Sequence, residues 1–189
     1  MHWADYTAQR LMERGGKQVS ASGITPSGEF HIGHLREILS AEMIHRACLD
    51  AGMSSKYIFI VDSMDPLRRV YDFLSPEYEE FIGCPLAYIP APEEDGTPGD
   101  GSVTYANHFL SPFLEALEQI GVRPEVVMNH ETYEKGLFAE YIDSAITNRE
   151  EIRRIIQQIS GRELPSDWFP YNPMGSGGSM DGVTVTGYE

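Results

Sequence analysis

The apolar positions follow two rhythms that alternate along the chain. Over residues 2–14, Ala4, Ala8, Leu11 and Met12 fall on one helical face, and Gly15-Gly16 ends the run. A short stretch at 18–22 reads as a strand. From 31 to 51, Ile32, Leu35, Leu39 and Met43 recur at helical spacing up to the stop at Gly52. Residues 56–62 (Lys-Tyr-Ile-Phe-Ile-Val-Asp) are nearly all apolar and β-branched or aromatic, the pattern of a parallel strand buried on both faces. A short helix is predicted at 76–82, and a proline-, glycine- and acid-rich surface loop at 85–101. A helix at 105–120 carries Phe109, Phe113, Leu114 and Leu117. A buried strand at 125–129 and a helix at 132–146 follow. Asn148 then opens a last helix as N-cap, with Glu151 in capping-box position. Its stripe is Ile152, Ile155, Ile156 and Ile159, and Gly161 ends it. This alternation predicts an α/β fold with a doubly wound, parallel, Rossmann-like sheet.

The rhythm stops after Arg162. Residues 165–173 are aromatic and proline-rich, 175–179 are linker-like, and 183–186 (Val-Thr-Val-Thr) alternate like an edge strand or the start of a hairpin. The expected division is a domain over 1–164 and the start of a β segment over 165–189, with the chain truncated in mid-hairpin.

Charge narrows the partners. The formal net charge is -15 over 189 residues, with Lys17, Lys56 and Lys135 the only lysines. Such a chain is a poor broad-surface grip for a phosphate backbone, whose affinity comes from Lys and Arg. No apolar run reaches the length of a membrane span, and the N-terminus does not read as a signal peptide. Cys48 and Cys84 lack metal spacing and read as free thiols of a reducing, cytoplasmic setting.

The candidate chemistry lies at 22–34, Ser-Gly-Ile-Thr-Pro-Ser-Gly-Glu-Phe-His-Ile-Gly-His. In a wound sheet this loop meets a helix N-terminus at the carboxyl end of a strand, where polyphosphates bind. Gly23, Gly28 and Gly33 permit close backbone approach, with Thr25, Pro26 and Ser27 between the first two. His31 and His34 share one face of the first helical turn, placed to donate to phosphate oxygens as pyrophosphate leaves. Gly33 between them leaves room for an adenine or ribose.

The segment Gly-Ile-Thr-Pro-Ser-Gly-Glu-Phe-His-Ile-Gly-His-Leu-Arg-Glu resembles the HIGH signature of class I aminoacyl-tRNA synthetases, and more narrowly that of the class I lysyl-tRNA synthetases. Residues 2–5, 62–71, 105–109, 131–136 and 168–170 resemble the same family. The resemblance implies lysine activation by ATP, with Mg2+, to lysyl-adenylate, followed by transfer to tRNA(Lys). It implies that His31 and His34 contact ATP and that Gly23 and Thr25 lie in the substrate site. A lysine substrate calls for a carboxylate near its ammonium. Asp62 and Asp65 are candidates, the alternatives being a strand-end cap and a turn before Pro66. Glu131 could meet ribose or amino acid, or cap a helix. Arg68-Arg69 could meet phosphate or the acceptor end of tRNA, or form surface ion pairs. His108 could line the pocket or be a hydrogen-bonded helix residue.

The chain also departs from the family pattern. The KMSKS signature is absent, no lysine follows Lys135, and the anticodon-reading domain is missing, so most tRNA contacts are expected elsewhere and ATP binding at best is expected of these residues alone. Zinc occurs in some members, but 90–104 hold no Cys or His and 175–180 no Cys, so no metal site is expected. The competing readings are a tRNA-independent nucleotidyl transferase that activates a small carboxylate, and a non-catalytic ATP- or lysine-binding paralogue.

Overall fold

The structure, a computed structural model, describes residues 1–188. Helix α1 (Trp3–Arg14) opens with the His2 ring accepting from the Ala4 N–H and closes at Gly15, φ 70°. Strand β1 (Gln18–Ile24) leads to α2 (Ile32–Asp50), and β2 (Ser55–Val61) follows. A 3₁₀ turn (Pro76–Phe81) precedes α3 (Tyr105–Gln119) and β3 (Glu125–Met128). Helices α4 (Asn129–Glu134), α5 (Ala139–Thr147) and α6 (Arg149–Ser160) complete the order. The strands form one parallel sheet in the order β1-β2-β3, with Gln18 opposite Ser55, Ile24 opposite Val61 and Val61 opposite Met128. β1 outruns the predicted 18–22 because Gly23 and Ile24 still pair with Ile60 and Val61.

With strands added in one direction, both right-handed crossovers place their helices on the same face. Ile38 and Ala41 of α2 and Leu110, Phe113 and Leu117 of α3 accordingly pack on Tyr57, Phe59 and Val61. The expectation that β2 is buried on both faces is corrected: Tyr57, Phe59 and Val61 are buried, while Ile58 is half-buried and Ile60 36% exposed on the other face. The predicted stripe of α2 also shifts. Its buried residues are Ile38, Ala41, Glu42, Ala47 and Cys48, whereas Ile32 is 79% exposed and Met43 lies outside. Ile32 starts the helix at the carboxyl edge of the sheet, where no strand lies beneath it. Ala47 and Cys48 face α1 through Ala4 and Ala8, and Met12 falls outside that contact.

The segment 85–101 is not a plain surface loop. Leu86 and Ile89 join Leu67, Leu74, Tyr78, Tyr105 and Phe109 in a second core. Antiparallel bridges Pro90–Thr104 and Pro92–Pro98 order the excursion, and Asp95 and Asp100 accept from the backbone N–H groups of Thr97 and Ser102. The acids and prolines that suggest a loop form its tip, while two aliphatic residues anchor its base.

The predicted helix at 132–146 is two helices, split where Gly136 takes φ 68°. Asn148 does not cap α6 with its side chain; its amide donates to the Ser144 carbonyl, and Glu151 pairs with Arg154. The α6 stripe is not buried, with Ile155 40% and Ile159 82% exposed among the described residues. No strand forms at 183–186. The tail is held through side-chain and backbone contacts instead, including the Met180 N–H on the Gly83 carbonyl at 2.8 Å and Tyr188 on Asp143. No helix among the described residues is long and apolar enough to cross a membrane.

These burials predict a contrast in stability. Phe59→Ala, which empties a fully buried site, is expected to cost about 3–5 kcal/mol in urea unfolding. Ile159→Ala, at an 82% exposed site, is expected to stay within about 0.5 kcal/mol.

Candidate active site

The carboxyl edge of the sheet gathers the loop after β1, the end of β2 and the start of α4, where parallel α/β sheets carry their ligand crevices. The first helical N–H groups of α2 need partners, and two histidines supply them reciprocally. The Gly33 N–H donates to His31 Nδ1 at 3.0 Å, and the His31 N–H donates to His34 Nδ1 at 3.1 Å. The rings stack with centroids 4.0 Å apart. A ring nitrogen that accepts carries no proton, so each imidazole holds its proton on Nε2, the outer nitrogen. Burial, and then the neighbouring His31 ring, hold His34 below its ordinary pKa against an upward pull from Glu37. His34 is therefore a neutral donor at pH 7. Gly33 serves this stack: a Cβ there would lie 2.8 Å from His31 Cε1. The His31 ring occupies the side of Gly33 on which a Cβ would stand.

The second core braces the loop before this cap. The Tyr105 hydroxyl donates to the Ser27 carbonyl at 2.8 Å, and the Ser27 N–H reaches the Thr25 carbonyl. Pro26 is fully buried and shapes the loop from beneath, so its side chain is not open to a ligand. Gly28 lies against the Phe73 ring, and Phe30 stacks on Phe113 at 4.3 Å. Gly23, at the outer edge of β1, donates its N–H to Glu37 Oε1 at 3.1 Å.

From Thr25 the site passes to β2. The Thr25 hydroxyl donates to Asp65 Oδ2 at 2.8 Å, and Arg68 stands 3.5 Å from the same oxygen. Asp62 accepts from the Asn129 amide at 2.8 Å. Burial raises the Asp62 carboxyl above the ordinary range, the Asn129 hydrogen bond opposes that, and Asp65 adds to it. Beside this pair, the fully buried Ser63 hydroxyl accepts from the His130 N–H and lies 2.8 Å from His130 Nδ1. Two adjacent contacts thus clamp the end of β2 to the start of α4. Asp62, Asp65 and Arg68 border a crevice of about 770 Å3, which Glu134 closes on the α4 side and the 170–182 segment covers.

Not every predicted residue reaches this place. Glu131 pairs with Lys135 at 2.7 Å on the exposed side of α4, and Glu134 faces the crevice instead. The Arg69 guanidinium lies over the Tyr71 ring. His108 packs edge-on to Phe109 beside a separate cavity of about 700 Å3 that also contains Glu29 and Asp100. Sequence reading missed Ser63, Asn129, His130, Glu134 and Tyr88. The first three had a signal in their position just past the ends of β2 and β3, whereas Glu134 stands at the far end of α4. Tyr88, inside the misread 85–101 segment, had none.

Comparison with known proteins shows the family. The sequence profile described as tRNA synthetases class I (K) matches residues 1–189. The lysine–tRNA ligase of Archaeoglobus fulgidus is 43% identical over the whole chain, and lysine–tRNA ligase 1 of Methanosarcina acetivorans is 42% identical, also over the whole chain. That of Methanocaldococcus jannaschii is 44% identical over 91% of it. The chain spans 37%, 34% and 32% of the length of these relatives. The chain belongs to the class I tRNA synthetases of the lysyl type.

Proposed function

We propose that these residues form the adenylate-forming part of a cytoplasmic lysine–tRNA ligase. ATP lies at the loop and cap of α2, over Thr25, Ser27, Gly28, Gly33, His31 and His34, with Pro26 as the support beneath. Lysine lies beyond Gly23 and Thr25, where Asp62 and Asp65 supply negative charge for an ammonium; Glu131, paired with Lys135, is not assigned a role. A carboxylate oxygen of lysine attacks the α-phosphorus of ATP, the bond to the β-phosphate oxygen breaks, and pyrophosphate leaves. The lysyl group then passes to tRNA(Lys), which is gripped mostly by parts of such ligases outside these residues.

One observation carries this reading. The reciprocal cap leaves two neutral Nε2–H donors on the outer edges of stacked rings at a helix N-terminus. Preorganised donors of this kind stabilise charge that grows on a leaving phosphate, and one such donor is commonly worth about 10²–10³ in rate. Mg2+ arriving with ATP is held chiefly by phosphates. Asp65, bonded to Thr25, is the carboxylate offered beside the loop. The bound ion would neutralise phosphate charge.

Two measurements test the reading. Asn is a good N-cap and Gln at N3 completes a capping box, so His31→Asn with His34→Gln preserves both caps but removes both imidazole donors. The double variant is expected to keep its unfolding free energy within about 1 kcal/mol of the parent while ATP affinity falls at least roughly tenfold in calorimetric titration. Unchanged ATP affinity would count against the phosphate role. In pyrophosphate exchange by a ligase that contains these residues, run with each amino acid, lysine alone is expected to support the reaction. Exchange driven by another carboxylate would favour the tRNA-independent nucleotidyl transferase.

The Asp62 environment gives a further prediction. Asn129→Ala removes the hydrogen bond that favours the ionised form, so Asp62 is expected to titrate at higher pH than in the parent. Carboxyl carbon resonances followed against pH check the sign.

A further inference from the structure

The loop that leads into the α2 cap is held at two points by distant residues. At its start the Thr25 hydroxyl donates to Asp65 Oδ2 at 2.8 Å. The Ser27 N–H then closes back on the Thr25 carbonyl at 2.9 Å, a three-residue turn centred on Pro26, whose ring pre-sets the backbone angle such a turn needs. One peptide further on, the Ser27 carbonyl accepts from the Tyr105 hydroxyl at 2.8 Å, across 78 residues of sequence.

No other hydrogen bond holds the Ser27–Gly28 peptide. Among the described residues the Gly28 N–H has no hydrogen-bond partner. Glycine on the far side of the peptide offers little steric resistance to its rotation. Left alone, such a peptide has two accessible orientations, as in the type I and type II turns, which differ by a flip of this kind. The Tyr105 hydrogen bond selects one of them. A trans peptide is planar, with its carbonyl and N–H pointing opposite ways, so the Ser27 carbonyl turned onto Tyr105 directs the Gly28 N–H away from it.

Tyr105 is itself a fixed donor. It opens α3 and is fully buried. Its N–H is tied to the Ile89 carbonyl at 2.9 Å, and its ring packs on Phe109 and Tyr78 with centroids 4.9 Å and 6.1 Å away. Burial, and then the neighbouring Tyr71 and Tyr78, push its phenol above the ordinary range, so the hydroxyl keeps its proton across neutral pH. Tyr78 forms a matched pair with it. That ring is equally buried in the same core, but its hydroxyl donates to the Pro90 carbonyl at 2.9 Å and not to the loop.

We propose that Tyr105 is a positioning residue for phosphate binding: it locks the Ser27–Gly28 peptide so that the Gly28 N–H joins the two histidine Nε2–H groups as a further preorganised donor. The proposal rests on the ATP reading above and adds to it a residue that touches no substrate. Without the phenol the same peptide is free to turn over and present the Ser27 carbonyl, a negative dipole end, on the side where the phosphate is to sit. The lock acts through the direction of one dipole rather than through the stability of the fold. It spares the ligand the cost of selecting one orientation from two.

The experiment compares Tyr105→Phe with Tyr78→Phe in the 189-residue chain. Each variant loses one buried hydroxyl from the second core and keeps its ring. Affinities for ATP and for inorganic tripolyphosphate are measured by calorimetric titration. The Ser27 carbonyl carbon and Gly28 amide resonances are followed in the free and bound chains, with the unfolding midpoint as control. In the parent, both ligands are expected to shift the Gly28 amide. Tyr105→Phe is expected to move both resonances in the free chain and to weaken both ligands roughly tenfold, the order of one hydrogen bond to a charged group. Tyr78→Phe is expected to lower the unfolding midpoint by a similar amount, to leave the two resonances in place and to keep both affinities within roughly twofold. Equal loss of affinity in the two variants, or unchanged ATP affinity in Tyr105→Phe, overturns the positioning role and leaves the ATP reading standing. ATP binding with no shift of the Gly28 amide does the same. Tripolyphosphate that shifts the Gly28 amide and is weakened by Tyr105→Phe, without ATP binding, supports the lock and removes the ATP reading. A parent that binds neither ligand overturns both.

Discussion

A helix that begins at the open carboxyl edge of a parallel sheet must leave its first N–H groups free or satisfy them itself. In α2 the two histidines resolve this by capping each other's backbone, His34 on the His31 N–H and His31 on the Gly33 N–H. The interaction fixes the entry angle of the helix, the tautomer of both rings and the direction of their remaining protons. It also dictates Gly33, since a side chain there would strike the His31 ring. Spacing the histidines three apart is thus a backbone requirement as much as a chemical one. A change in either ring alters the helix start and its donor array together.

The cap is positioned by a second layer of structure. Ser27 is held by Tyr105, Gly28 by Phe73 and Phe30 by Phe113, so the loop rests on the second core and on α3. That core draws on residues 67–89, a part of the chain without regular strands. Its buried tyrosines, Tyr78 and Tyr105, find carbonyl acceptors at Pro90 and Ser27, which lets large rings fill the interior without leaving a hydroxyl unpaired. Rigidity at the loop follows from packing beneath it.

Local signals in the sequence were sufficient for the βαβ order, the glycine-bearing loop and the two histidines, because strand length, helix period and turn residues are written within a dozen positions. They failed where a long-range partner decides the outcome. Ile32 has helical spacing but sits beyond the sheet edge, and Ile159 has the spacing of a core residue without a described neighbour to cover it. Leu86 and Ile89 are hidden among prolines and acids that mark a loop, yet fold inward to meet Tyr78 and Tyr105. In the site, Asp62 and Asp65 were visible as strand-end carboxylates. Their partners Asn129 and Thr25 are 67 and 40 residues away in sequence, and that pairing exists only in three dimensions.

The charge arrangement bears on how the proposed site would serve two oppositely charged substrates. At a net charge of -15, a polyphosphate approaches against the field of the whole chain. In the proposed site the cap would meet it without formal charge, using N–H donors and the helix dipole, whose contribution falls off within the first turn. Asp65 lies across its hydrogen bond with Thr25, on the side where the ammonium is proposed to sit. An ammonium that neutralises Asp62 and its neighbours would also weaken the negative field felt by phosphates on the other side of Thr25. In the proposed reaction, amine binding and phosphate binding would then favour each other through the field alone.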